Sequence, residues 1–316
     1  MIITAFVDSA GAPASWQADV LETSWRQAAQ PGQLVRLTPS SPGVELPTLL
    51  ERTRHARPVA TLPFQPHPYT GDDSPAYLLP AGLLEWLSSE RVDGTVLVLE
   101  AGSLLRGAIT DEVTPGRVIA APSDLQRSGE GPFGLGKALA FLARVCADQT
   151  LEVPNVALPA LVHSRDLLRL APRWLELTLV LREECREWEG WEHATHRLAF
   201  AIALAEWGLE VETRQLAVAA AGSEPPEMRP ARCEGVREAR VLDQMILDVP
   251  GQEGSVSLNP SSAWIWQLVD GARTVSGIAR QLEQQFDKAH GELEGDVQAA
   301  LEQLRNVGAL DLELVL

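Results

Sequence analysis

Strand patterns alternate with helix patterns along the first 220 residues of this 316-residue chain. The runs Ile2 to Val7 and Gly94 to Leu99 are apolar and β-branched, which predicts buried strands. Helical spacing begins at Ser15 and again between Leu79 and Leu87. Strands that alternate with helices are joined by crossover connections, so they pair in parallel. The alternation predicts an α/β sandwich with a mainly parallel sheet.

Later segments continue this pattern up to a polar stretch. Asn155 to Val162 predicts a strand, Ser164 caps a helix, and Pro172 predicts the start of a separate helix that ends at Trp188. Leu209 to Ala219 alternates like a single strand. The Gly-, Ser- and Pro-containing stretch from 221 to 234 then predicts a linker, which divides the chain into domains at 1–220 and 235–316.

The pattern of the C-terminal region predicts a small unit of one strand and three helices. The segment Ser255 to Gly271 (SVSLNPSSAWIWQLVDG) predicts a short strand, a capped helix and a helix stop. Thr274 opens a second amphipathic helix, and Asp296 opens a third that ends at Gly308.

Charge and composition exclude several classes of function. The formal net charge is −17, and residues 235–316 hold six Lys and Arg against thirteen Asp and Glu, a net charge of −7. A DNA-binding protein needs a basic face, so nucleic acid and anionic membrane surfaces are disfavoured partners. No apolar run approaches the ~20 residues that span a bilayer, and no signal peptide is recognisable, which predicts a cytoplasmic protein. Three scattered cysteines offer no zinc site.

The C-terminal pattern resembles the PqqD-like family, the recognition element of ribosomally made, post-translationally modified peptides (RiPPs). The resemblance spans 237–312 and rests on these positions: Leu258-Asn259, Ala263, Ile265-Trp266, Asp270-Gly271, Thr274-Val275, Ile278-Ala279, Phe286, Asp296-Val297, Leu301, Leu304 and Gly308. It implies a winged helix-turn-helix of three short strands and three helices that binds the leader of a precursor peptide. An ordinary winged-helix domain that binds nucleic acid is the alternative, which the acidic charge disfavours.

Peptide binding of this kind needs an unpaired strand edge beside an apolar groove, because backbone hydrogen bonds supply affinity and side-chain pockets supply specificity. The predicted edge comprises Ser255, Val256, Ser257 and Leu258. The predicted groove wall lies on the third helix and comprises Val297, Leu301, Leu304 and Arg305.

The first region resembles the group of hydroxyproline O-arabinosyltransferases and peptidyl serine galactosyltransferases. The resemblance covers about residues 3–215 and is carried by these segments: Trp16 to Trp25, Gln30-Pro31-Gly32, Val35-Arg36-Leu37, Leu79-Pro80, LLEWL at 83–87, VLVLEAGSLLRGAI at 96–109, ALPALVHSRDLLRLAPRW at 157–174 and LAFAIALAEWGL at 198–209. It implies a GT-A fold that transfers sugar from a nucleotide donor to a peptide hydroxyl.

The chemistry of that group is incomplete here. A GT-A site places acidic ligands after a central strand to hold a divalent cation against the donor diphosphate. This chain has Glu100 there, followed by Ala, Gly102 and Ser103, and it has His196 where the family carries a later acidic residue. These four residues form a degenerate donor site, so we expect no metal and no cofactor. Arg106 is the nearest basic residue that could replace a cation's charge.

Two further features of the sequence have both a structural and a functional interpretation. His193 and His196 share a helix face, which suits a metal pair or a general base, but the sequence places no third ligand, so a solvated helix face is the favoured interpretation. The segment SGEGPFGLG at 128–136 fits neither phosphate-loop pattern and reads as a surface loop.

Two accounts of function follow. In the first, a catalytically inactive glycosyltransferase-like domain carries a recognition domain that captures a leader and presents the core peptide to a separate modifying enzyme. The deployment of such recognition domains suggests an iron-dependent oxidase as that enzyme. In the second, the chain is itself a peptide glycosyltransferase with a fused recognition domain.

Overall fold

The computed structural model describes residues 1–8, 15–39, 55–123, 152–184, 195–220, 228–241, 244–252, 254–289 and 291–314. Tertiary contacts divide the chain into two compact units, Met1–Ala221 (unit 1) and Gly222–Leu316 (unit 2). Within the described ranges, no helix is both long and apolar enough to cross a membrane.

Unit 1 alternates strands and helices. Its described strands are β1 (Ile2–Val7), β2 (Gln33–Pro39), β3 (Arg57–Thr61), β4 (Thr95–Leu99), β5 (Ser103–Leu105), β6 (Arg117–Pro122), β7 (Val156–His163), β8 (Glu210–Thr213) and β9 (Val218–Ala220). Its described helices are α1 (Ser15–Gln27), α2 (Leu78–Ser89), α3 (Ser164–Glu184) and α4 (Thr195–Glu206), with a single 3-10 turn at Pro75–Tyr77.

Seven of these strands form one sheet in the order β3-β2-β1-β4-β7-β6-β8. The pairs β3–β2, β2–β1, β1–β4 and β6–β8 are parallel, and β7 runs antiparallel to both of its neighbours. The predicted α/β class with a mainly parallel sheet is therefore confirmed. Strands β5 and β9 pair separately in an antiparallel ladder.

Both faces of the large sheet are covered. Successive side chains of a strand point to opposite faces, and here both sets are apolar. On β1, Ile2 and Phe6 pack with Leu21 of α1 on one face. Ile3, Ala5 and Val7 point to the opposite face, into a core shared with three helices and represented by Trp86 of α2, Trp174 of α3 and Phe200 of α4.

Two elements differ from the sequence expectations. Pro172 lies inside α3 rather than starting a new helix. The helix continues past it because Leu170, Trp174 and Leu177 stay fully buried, and this burial outweighs the loss of one backbone hydrogen bond. The predicted single strand at 209–219 is two strands, because β8 pairs with β6 whereas β9 crosses to β5.

Unit 2 contains β10 (Met228–Arg232), β11 (Arg237–Val241), β12 (Gln244–Asp248), β13 (Ser255–Leu258) and β14 (Leu310–Leu314). Its described helices are α5 (Pro260–Leu268), α6 (Val275–Gln285) and α7 (Glu294–Asn306). Strands β11, β12 and β13 form an antiparallel meander, and β10 pairs with β14.

The predicted helix starts at α5 and α6 have side-chain caps. The Asn259 carboxamide oxygen accepts from the Ser262 backbone N–H at 2.7 Å, and the Thr274 hydroxyl accepts from the Gly277 N–H at 3.1 Å. These caps fix the turn from β13 into α5 and the entry into α6.

Strand β10 lies within the stretch predicted to be a linker. Arg232 of β10 donates to the carbonyl oxygens of Trp266 and Val269, both at 3.0 Å, and its guanidinium lies 4.6 Å from the Trp266 ring centroid. The partner strand β14 is some 80 residues later in the chain, so local sequence patterns do not reveal the pairing.

Candidate functional sites

The order of strands in unit 1 defines one end of the sheet as a candidate site. Strands β2 and β3 lie on one side of β1 and β4 lies on the other, so the direction of winding reverses between β1 and β4. Ligands of open α/β sheets bind at the carboxyl ends of the strands at such a reversal. Asp8 follows β1 and Glu100 follows β4, and the register Phe6–Leu99 brings these strand ends side by side.

Glu100 is held by two basic side chains from the first turn of α4. Its Oε1 lies 2.6 Å from His196 Nε2 and 2.8 Å from Arg197 Nε, and its Oε2 lies 2.5 Å from Arg197 Nη2. Burial disfavours the charged form, but the hydrogen bonds from His196 and Arg197 outweigh it and lower the pKa of Glu100 to about 2. Both carboxylate oxygens of Glu100 therefore already accept charge-assisted hydrogen bonds.

Packing between α3 and α4 positions these basic groups. The indole Nε1 of the fully buried Trp174 donates to the His196 carbonyl oxygen at 2.6 Å. The Trp174 ring also lies 4.8 Å, centroid to centroid, from the Phe200 ring. The first turn of α4 is thereby fixed against the core beside Glu100.

Asp8 is similarly paired with an arginine. Arg36 of β2 donates to Asp8 at 2.5 Å and to Glu22 of α1 at 3.1 Å, and all three side chains are nearly buried. Burial by itself would lower the pKa of Arg36, but the two carboxylates raise it, so the guanidinium stays charged.

The residues after Glu100 form a turn rather than a ligand set. Gly102 has a positive φ of 80°, and a Cβ there would lie 3.4 Å from the Gln17 side chain. The Ser103 N–H donates to the Glu100 carbonyl oxygen at 3.1 Å as β5 begins. Of the predicted donor-site residues, the structure brings Glu100 and His196 into direct contact, whereas Gly102 and Ser103 serve the backbone turn.

This arrangement does not fit the divalent cation that the GT-A resemblance implies. Among the described residues, no group of three or more His, Cys, Asp and Glu side chains is placed to hold a metal ion. A hard cation at Glu100 would have to displace Arg197 and His196 from the carboxylate oxygens.

Arg197 is the functional candidate that sequence reasoning missed. Arg106 is exposed, and its backbone N–H bonds to the Ala217 carbonyl oxygen, whereas Arg197 carries the positive charge next to Glu100. The available signal was its position directly after His196, a residue of the predicted donor site. His193 and the segment 128–136 lie outside the described residues.

In unit 2, the predicted edge strand is an edge of its sheet. Strand β13 pairs with β12 in the register Met245–Leu258 to Asp248–Ser255, and no other described strand pairs with it. Ser255 and Ser257 are exposed, Val256 is half-buried, and Leu258 is buried.

The predicted groove wall is in the core instead. Val297, Leu301 and Leu304 are each 1–2% exposed and share one apolar cluster with Leu258. Arg305 is half-buried on the same helix. The structure therefore brings the predicted apolar residues together in the interior of unit 2 and not on its surface. Helical spacing alone does not separate the two cases, because residues that face the core and residues that line a groove recur with the same period on α7.

The opposite edge of the same sheet has a different character. Strand β11 exposes Arg237, Glu238 and Arg240, and charged side chains discourage the pairing of an edge with another strand. Strand β13 carries no charged residue.

Comparisons with known proteins support the two resemblances. Residues 244–310 match the family model of coenzyme PQQ synthesis protein D (PqqD). The C-terminal region is PqqD-like. A solution structure of the PqqD part of Methylobacterium extorquens PqqCD, described as a stand-alone RiPP recognition element, is 28% identical, covering 26% of this chain and 87% of that chain with a TM-score of 0.24.

The N-terminal region resembles glycosyltransferases. Peptidyl serine alpha-galactosyltransferase of Arabidopsis thaliana is 30% identical over 175 residues, which cover 54% of this chain and 20% of that relative's length. The galactosyltransferase LgtC, solved with donor and acceptor sugar analogs, is 12% identical over 67% of this chain and 73% of its own, with a TM-score of 0.41.

Proposed function

We propose that this chain binds the leader of a RiPP precursor by strand addition at β13 and presents the core peptide to a separate modifying enzyme. In this proposal, unit 1 is a glycosyltransferase-like scaffold without catalytic activity. Unit 2 is the recognition domain, a winged helix-turn-helix formed by the meander β11–β13 and helices α5–α7. It begins at β10, because that strand packs with unit 2.

The PqqD match together with the open, uncharged edge of β13 carries the peptide-binding half of the proposal. An extended peptide can continue the meander at β13, whereas the charged residues of β11 oppose pairing at the other edge. The leader is therefore assigned to β13.

Backbone pairing alone would not give tight binding. In an antiparallel sheet, every second residue of an edge strand directs both its backbone N–H and its C=O away from the neighbouring strand. Two of the four residues of β13 therefore offer about four hydrogen bonds to an added strand. At about 0.5–1.5 kcal/mol each, these supply about 2–6 kcal/mol. Micromolar affinity needs about 8 kcal/mol. Side chains around β13 must supply the remainder.

The contacts of Glu100 support the noncatalytic half. Its carboxylate is the one acidic group that the sequence retains at the metal position of a GT-A site, and both of its oxygens are engaged by Arg197 and His196. Asp8, at the end of the neighbouring strand, is paired with Arg36. The carboxylates at this end of the sheet balance basic groups of unit 1 itself.

Arg197 also favours a second candidate function, a metal-free peptide glycosyltransferase. A guanidinium can neutralise a leaving diphosphate as a cation does. In this alternative, Arg197 would have to exchange its bidentate contact with Glu100 for one with the donor.

Nucleotide sugars separate the two functions. Full-length protein is incubated with radiolabelled UDP-galactose, UDP-glucose or UDP-arabinose and with a candidate precursor peptide, with and without Mn²⁺. We expect no transfer to the peptide and no donor binding below millimolar concentrations. Transfer that is lost in Arg197→Gln but independent of Mn²⁺ would establish the alternative.

A pair of matched substitutions tests the peptide site. Val256→Asp places a charge beside the proposed leader strand, and Ala239→Asp places the same charge on the exposed edge β11. We expect the first to weaken precursor binding at least tenfold and the second to leave it within twofold, measured by fluorescence anisotropy. Equal effects of the two substitutions would contradict the assignment to β13.

A further inference from the structure

We infer that the peptide which docks on β13 is a short stretch of alternating apolar residues flanked by basic residues. This inference rests on the proposed function and concerns the chemistry of the leader rather than the existence of the site.

The faces of β13 specify the alternation. Ser255 and Ser257 are exposed on one face, whereas Val256 and Leu258 pack against the apolar cluster on the other. A strand added at the edge continues both faces of the sheet, because side chains alternate with a period of two. Every second residue of the peptide would therefore lie on the same face as Val256 and Leu258, where an apolar side chain covers the half-buried Val256 and a charged side chain would be desolvated.

The charges around unit 2 specify the flanking residues. Asp248 of β12 is exposed and is aligned with Ser255 of β13 on one side and with Arg237 of β11 on the other. Helix α7 adds the exposed carboxylates Glu294, Asp296 and Glu302 to the net charge of −7 for residues 235–316. A peptide that approaches this unit meets a negative potential.

The basic residues of this segment leave it acidic overall. Arg273 and Lys288 each pair with a neighbouring carboxylate, and Arg237 lies opposite Asp248 across the β11–β12 ladder. With all six basic residues counted, residues 235–316 keep a net charge of −7, so a basic peptide is the complementary ligand.

The test uses an mRNA-displayed library of random 20-residue peptides, selected on immobilised full-length protein. Selected peptides are remeasured on the wild type and on Val256→Asp. We expect peptides that lose at least tenfold in affinity on Val256→Asp, that carry apolar residues at alternate positions, and that have a net positive charge. Their dissociation constants should rise about tenfold between 50 and 500 mM NaCl.

The outcomes separate the inference from the function on which it rests. Peptides that depend on Val256 but are neutral or acidic would overturn the inference and leave the proposed function intact. A selection that yields no peptides, or only peptides insensitive to Val256→Asp, would overturn the proposed function as well.

Discussion

At the carboxyl end of β4, the oxygens of Glu100 accept hydrogen bonds from Arg197 and His196 of the same unit. At the outer edge of β13, by contrast, the backbone groups of Ser255 to Leu258 have no strand partner among the described residues. Both regions lie where their fold would be expected to bind a ligand, the first at a winding reversal and the second at a sheet edge. A ligand at Glu100 would have to break contacts within unit 1, whereas a peptide at β13 could bond to backbone groups that no described strand occupies.

In the proposed function, unit 1 keeps its fold while the charged residues at the end of its sheet contribute to stability. Paired charges at the end of a sheet stabilise the unit, but a ligand must first displace them. An exposed, uncharged strand edge contributes little to stability, and a peptide can join it at the cost of displacing water. Stability measurements can therefore distinguish the two regions before any ligand is known.

The largest effect is expected at Leu301, which is 2% exposed in the core of unit 2. Leu301→Asp buries a charge without a partner, so we expect it to lower the unfolding free energy of unit 2 by at least about 3 kcal/mol. Urea unfolding followed by tryptophan fluorescence measures the change. Gln303→Asp, at an exposed position of the same helix, is the control and should change stability by less than about 0.5 kcal/mol. A folded Leu301→Asp protein that merely fails to bind peptide would restore the exposed groove wall that the sequence suggested.

Acid should weaken unit 1 through Glu100. Its pKa falls from 4.5 to about 2 on folding, so its contribution to stability is present above pH 4.5 and is lost as the pH falls towards 2. The shift corresponds to about 3 kcal/mol. We expect the unfolding free energy of the wild type to fall more steeply than that of Glu100→Gln between pH 4.5 and 2. Parallel curves for the two proteins would contradict the pairing of Glu100.

Removing the guanidinium should have a smaller effect. Arg197 is 40% exposed, so Arg197→Gln is expected to lower the unfolding free energy of unit 1 by about 1–2 kcal/mol at neutral pH, because His196 still contacts Glu100. Arg165→Gln removes a 3.5 Å pair with Asp93 that is more than two-thirds exposed, and it should cost less than about 0.5 kcal/mol. Equal losses of unfolding free energy in the two variants would mean that the Arg197–Glu100 pair contributes no more than an ordinary surface ion pair.

The smallest effect on stability is expected at the β13 edge itself. Ser257→Lys adds a charge to an exposed edge position and should leave the unfolding free energy of unit 2 within about 0.5 kcal/mol of the wild type. Ser103→Lys in unit 1, where the serine is 8% exposed, should cost more than 1 kcal/mol by the same assay, since a buried lysine loses its hydration. A large loss for Ser257→Lys would mean that the β13 edge is internally engaged.

Local signals predicted much of the fold. The buried strands β1 and β4 and the capped starts of α5 and α6 each depend on neighbouring residues, and the structure contains all of them. The strand β10 and the uninterrupted helix α3 were not predictable in this way. Pairing with a strand some 80 residues away determines β10, and tertiary burial carries α3 through Pro172.

The candidate sites were predicted less completely. The two family resemblances pointed to Glu100, His196 and the edge strand Ser255 to Leu258. Arg197 was missed because its role depends on the packing of Trp174 against α4, which places the helix start beside β4. Leu301 and Leu304 were assigned to a groove because helical periodicity identifies the inward face of α7 but not whether another layer covers it.

Hydrogen–deuterium exchange of the full-length protein, with and without a bound precursor peptide, tests the central claim most directly. The account predicts that the peptide protects those backbone amides of Ser255 to Leu258 that face away from β12 and leaves exchange around Glu100 and Arg197 unchanged. Protection around Glu100 with none at β13 would contradict it and would return the working site to unit 1.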